Sequence, residues 1–171
     1  MKDKTKNLEK AFSYVRSFYN EIAQMLSDVM ELMSKKGWES PGGGITDGLS
    51  YALDNPDHWM CFYIYKNFIN KKVSSNIKGI LIYFNEYMNE FPISVVCGKL
   101  NQPRDAFNKW GLYWLVYYNK NKLEDLTCEA VSLTAVHKGE SFTGDIFAIP
   151  LSEILTPEDV KDKIVKKLLA I

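Results

Sequence analysis

The stretch from Leu8 to Lys35 constrains this chain more than any other. Written in sevens, its first position holds Leu8, Val15, Ile22 and Val29, and its fourth holds Ala11, Phe18, Met25 and Leu32. The fifth holds Phe12, Tyr19, Leu26 and Met33, whereas the sixth holds only Ser13, Asn20, Ser27 and Ser34. Residues three and four apart share a helix face, so the pattern predicts an amphipathic helix over residues 6–36 with a wide apolar face. Asp3 or Thr5 is placed to cap its start and Gly37 to end it. A two-stranded coiled coil would use the narrower seam of first and fourth positions. The added fifth position favours a helix lying on a sheet, with part of the face left for a partner. At 1.5 Å per residue the helix is about 45 Å long, against about 40 Å for a compact domain of this length. One end is expected to protrude, which favours a homodimer.

The rest of the chain must supply that sheet. Its 10 Tyr, 9 Phe and 4 Trp suit strands and bury large areas. Apolar runs and alternation predict about six strands, at residues 59–67, 77–86, 92–100, 111–119, 128–137 and 142–150. The turn signals are 71–76, 87–90, Asn119 to Lys122, and Lys138-Gly139-Glu140. A final helix over 156–171 opens with Thr156 as cap, Pro157 at the first position and Asp159 three after the cap. Val160, Ile164, Leu168 and Ile171 form its inward face. The expected fold class is therefore α+β: a long N-terminal helix packed on a mostly antiparallel sheet and closed by a C-terminal helix, in one domain of 171 residues.

Charge and composition narrow the partners. The formal net charge is zero, and only Arg16 and Arg104 among the basic residues are arginines, which argues against a nucleic-acid surface. The start, MKDKTKNLEK, lacks the apolar stretch of a signal peptide. The apolar runs 59–65 and 111–118 are too short to span a membrane, which takes about 20 residues. Cys61, Cys97 and Cys128 are odd in number and lie in predicted strands, as free thiols of a reducing, cytoplasmic compartment would.

Chemistry-bearing residues are sparse. Gly42-Gly43-Gly44 lacks the Lys and Ser/Thr of a phosphate loop and reads as a connector. Asp47, Asp54, Asp57 and His58 could gather as acid, base or metal ligands, although Asp and Asn also stabilise turns on their own. Glu86, Glu90, Glu129 and Asp145 lie in or beside strands, where they more often meet solvent or lysines than magnesium. His58 and His137 are the only histidines, and no motif pairs either with a cysteine. The aromatic surplus is the stronger signal. Read as a strand, 111–119 sends Trp114 and Tyr118 to one face and Tyr113 and Tyr117 to the other. One sheet face lies under the long helix; the other meets a further layer or exposes its rings as a binding surface. Tyr63, Trp110, Trp114 and Tyr118 are the candidate ligand-binding residues.

The leading expectation is a non-enzymatic binding or interaction module for a small molecule or a protein, with no cofactor indicated. The alternatives are a metal-dependent hydrolase or nuclease built on Asp47, Asp54, Asp57 and His58, and an adaptor subunit whose helix face another protein completes.

Overall fold

A computed structural model of the chain describes residues 2–41, 46–47, 61, 63–70, 72–84, 93–102, 111–119, 122 and 129–171. The predicted helix is present as α1, Lys2–Ser34, unbroken over 33 residues and therefore about 50 Å long. It starts earlier than its sequence suggested, so Asp3 and Thr5 lie inside it rather than at its cap. It ends where expected: Gly37, at φ +78°, donates to Ser34 and turns the chain into β1, Trp38–Glu39.

The other strands are β2 (Thr46–Asp47), β3 (Tyr63–Asn70), β4 (Val73–Tyr83), β5 (Ser94–Leu100), β6 (Val131–His137) and β7 (Glu140–Pro150). They form one sheet in the order β1-β3-β4-β5-β7-β6, every described pairing antiparallel, with β2 also pairing with β3. The predicted hairpin partners 77–86 and 92–100 pair as β4 and β5, in register from Ile77 opposite Leu100 to Tyr83 opposite Ser94. β6 and β7 are joined by Lys138 (φ 49°) and Gly139 (φ 85°). Two successive positive φ values give the turn whose twist matches a two-residue hairpin.

Residues 111–118 depart from expectation: they form a helix, α2 (Gly111–Tyr118), not a strand. The sheet order explains why. β7 lies between β5 and β6 and is antiparallel to both, so β5 and β6 run parallel. Parallel strands need a crossover connection across a sheet face, and a helix commonly provides it. α2 presents Leu112, Leu115 and Val116 to the sheet. Its approach is close because small residues line the trough beneath it: a Cβ at Gly79 or Gly98 would stand 3.1 Å from Leu112.

The molecule is thus layered. On one face Ile64, Phe68, Ile80, Ile82, Val95, Cys97, Phe147 and Ile149 pack against Ile22, Met25, Leu26, Val29 and Met33 of α1. The same cluster takes in Val160, Ile164, Val165 and Leu168 of a C-terminal helix, α3, residues 157–170. α3 begins with the predicted capping box, Thr156 and Asp159 exchanging bonds around Pro157, and widens to π-helical hydrogen bonding over Val160–Val165. On the other face Tyr65, Leu81, Val96, Leu100, Ile146 and Ala148 pack under α2. Among the described residues no helix is long and apolar enough to cross a membrane.

Candidate functional site

The apolar ridge of α1 does two different things along its length. From Phe18 onward it is core, with Val29 and Met33 fully buried. Before Phe18 it meets water: every residue from Thr5 to Ser17 is exposed. Leu8 is 60%, Phe12 67%, Tyr14 75% and Val15 40% exposed. The periodicity is the same in both halves, yet among the described residues the core cluster takes in nothing of α1 before Phe18. An aromatic junction marks the boundary, where Phe18, Tyr19 and Phe84 sit with ring centroids 6.0–6.2 Å apart. Tyr19 also shares a 3.3 Å hydrogen bond with the Cys61 thiol. Burial, and then that bond, push the Tyr19 phenol up to about 12.

At this junction a groove of about 450 Å³ opens. One wall is α1, through Phe18, Ile22 and Met25; the other is Ile93 with Leu151, Ile154 and Leu155. Glu21 and Ser152 are its polar members. The second wall is held by backbone bonds from Leu151 to Ile93 (2.8 Å) and from Ile154 to Leu151 (3.1 Å). The capping carboxylate of Asp159 also accepts from the Leu155 amide at 3.2 Å. Bonds from Lys163, Thr156 and Leu155 hold that carboxyl down at about 2, so it stays ionised and the wall stays tied at neutral pH. Leu155 is 79% exposed and projects an apolar side chain beside the groove. The exposed stripe of α1 runs into this groove along the helix face that carries Val15, Phe18 and Ile22.

The sequence candidates lie elsewhere. Tyr63 is buried in β3 and stacks on Tyr113, with centroids 4.4 Å apart. Trp114 stacks on His137 at 3.6 Å, and the exposed Tyr118 hydroxyl reaches His137 Nδ1 at 2.9 Å. Because 111–118 is a helix, Tyr113, Trp114, Tyr117 and Tyr118 fall together on its outer shoulder instead of on opposite faces. Tyr113 joins Tyr63 to Trp114, 4.9 Å away, in one band of packed rings. Trp110 lies outside the described residues.

Asp54, Asp57 and His58 also lie outside them, as do Gly42–Gly44, Glu86, Glu90 and Cys128. Asp47 is in β2, opposite Tyr63 in register. Among the described residues no three His, Cys, Asp or Glu side chains gather as a metal site requires. Asp145 is engaged by Ser132 (2.5 Å) and Lys99 (3.1 Å), which together lower its pKa. Cys97 is fully enclosed, and burial pushes its thiol up.

One polar residue escaped the sequence reading. Lys78, on β4, is only 3% exposed. Its Nζ donates to the Leu168 carbonyl and, at 2.7 Å, to that of Ile171, and lies 5.1 Å from the Trp38 ring centroid. It thereby caps the last carbonyls of α3. Burial, with Lys99 nearby, lowers its pKa to about 8. A lysine in a strand ordinarily reads as solvent-facing, so only the covering helix reveals this role. No family model, curated protein or solved structure matches the chain.

Proposed function

We propose that the protein is an interaction module whose working surface is the free half of α1 together with the groove at its root, and that its partner is a protein. The observation that carries this reading is the continuity of the exposed stripe, Leu8, Phe12 and Val15, with the groove bounded by Phe18, Ile22 and Met25. Apolar patches of several hundred Å² are where monomeric proteins most often bind something. The groove alone has the volume of a small-molecule site. Its extension along three turns of helix favours an elongated apolar partner such as an amphipathic segment, which anchors at three- and four-residue spacing.

Photo-crosslinking tests the reading. With p-benzoylphenylalanine at position 12, native extract is expected to yield discrete protein adducts. The same label at position 13, on the polar side of α1, should yield none of them. Adding Leu8→Glu and Val15→Glu should abolish the position-12 adducts. Equal labelling from positions 12 and 13 overturns the proposal.

A further inference from the structure

The groove at the root of α1 is apolar except at two points. One wall contributes a single charge, Glu21, and the other a single hydroxyl, Ser152. Among the described residues the Glu21 carboxylate makes no ion pair or hydrogen bond, and neither does the Ser152 hydroxyl. The helix itself offers Glu21 no cation. Side chains three and four residues away are the ones that reach along a helix, and here they are Ser17, Phe18, Gln24 and Met25. Gln24 is turned to Asp28, at 2.8 Å. The opposite wall offers none either: Lys163 is held by Asp159 at 2.9 Å and by the Glu153 carbonyl at 2.6 Å. The two stretches that build the walls, 17–26 and 151–155, carry Glu21 and Glu153 against no Lys or Arg, a net −2. A free carboxylate inside an apolar groove is complementary to an occupant that brings a cationic donor with its apolar groups.

The surroundings of Glu21 select among cations. Phe18 stands three residues before it, on the same side of α1, and lines the same groove. A guanidinium is planar: it can fork both oxygens of a carboxylate and also lie along an aromatic ring, and with five N–H donors it keeps one for a hydroxyl such as that of Ser152. An ammonium is a compact point charge with no plane to match. The remaining lining, Ile22, Met25, Ile93, Leu151 and Ile154, accepts aliphatic side chains. We propose that the groove receives an arginine of the partner protein, bordered by aliphatic anchors at three- and four-residue spacing, its guanidinium on Glu21 and along the Phe18 ring. This names the partner's chemistry at the groove and rests on the interaction reading given above.

A phage-displayed library of helical peptides, each with a leucine stripe and random residues along its border, tests the proposal on the full-length chain. Selection should enrich arginine at a border position, ahead of lysine. Fluorescence anisotropy with a selected peptide and its arginine-to-glutamine analogue then measures the preference, expected to be about fivefold, as a partly exposed charge pair supplies. Glu21→Gln should remove that preference, and Glu21→Arg should turn it toward a glutamate analogue of the same peptide. Glu31→Gln, on the same helix but away from the groove, should leave it unchanged. Glu21 is exposed, so circular dichroism should show all three variants folded. Raising the salt from 0.05 to 0.5 M should shrink the preference in the wild type and have no such effect in Glu21→Gln. No enrichment of arginine, or a preference that survives Glu21→Gln, overturns the proposal. If position 12 still crosslinks a protein in that event, only the arginine is excluded. If position 12 crosslinks nothing, the interaction reading falls with it.

Discussion

Lys78 shows how a single side chain acquires a role that its strand does not announce. In the unfolded chain its amine titrates near 10.5, and in the folded protein near 8. Between these values the unfolded state binds more protons, so folding stability contributed by this group rises with pH. Below pH 8 the charge is held in a site that disfavours it, partly offset by its bonds to the Leu168 and Ile171 carbonyls. The wild type should therefore gain up to about 2 kcal/mol relative to Lys78→Met between pH 8 and 10. Above pH 10 the raised phenol of Tyr19 works the other way: its stabilisation is present below 10 and is lost as pH climbs toward 12. Urea unfolding at pH 7, 8, 9 and 10 measures the difference, and parallel curves for the two proteins would count against this account of Lys78.

At the scale of elements, α1 divides into a half that builds the core and a half that does not. Phe12→Glu replaces an exposed ring, and surface changes of that kind stay within about 0.5 kcal/mol. Leu26→Glu forces a carboxylate into the cluster that includes Ile22, Val29, Met33 and Ile164, with an expected cost above about 4 kcal/mol. Circular dichroism melts should leave the first variant near wild type and show the second largely unfolded; comparable losses would contradict the division. The ridge from Leu8 to Met33 made the helix legible in the sequence, because helical periodicity is local. How far along it the core cluster reaches depends on residues distant in sequence, so the boundary at Phe18 was invisible. In 111–118 the aromatic and branched side chains suggested a strand by propensity. The spacing of Leu112, Leu115 and Val116 already held a helical face, and the crossover from β5 to β6 decided in its favour.

Across the whole molecule, what could be read from sequence was the content of each layer, and what could not was how closely the layers approach. The inward residues of β3, β4, β5 and β7 follow from apolar patterning. The groove, by contrast, joins Phe18, Ile93 and Leu155, which no local pattern links, and so the candidate site had to await the fold. Tyr63 and Trp114, singled out instead, take part in the packing of α2 on its sheet face, stacking on Tyr113 and His137. That packing has a pressure point at Gly144, where β5, β7 and α2 meet. A Cβ there would stand 2.5 Å from the Lys99 carbonyl oxygen and 3.1 Å from Leu115 Cδ1. The carbonyl belongs to the ladder that sets Leu100 opposite Gly144, so it cannot retreat without loosening β5 from β7, while Leu115 holds the other side. Gly144→Ala should therefore cost about 3 kcal/mol, as overpacking of a filled core does, and lower Tm by about 6–12 °C for a chain of this size. Gly139, also in the β6–β7 hairpin, has no heavy atom within 4 Å of its would-be Cβ. Its positive φ is one that Asn tolerates, so Gly139→Asn should move Tm by less than about 3 °C. If the two variants melt together, the close approach of the three elements at Gly144 is not what holds the layers in place.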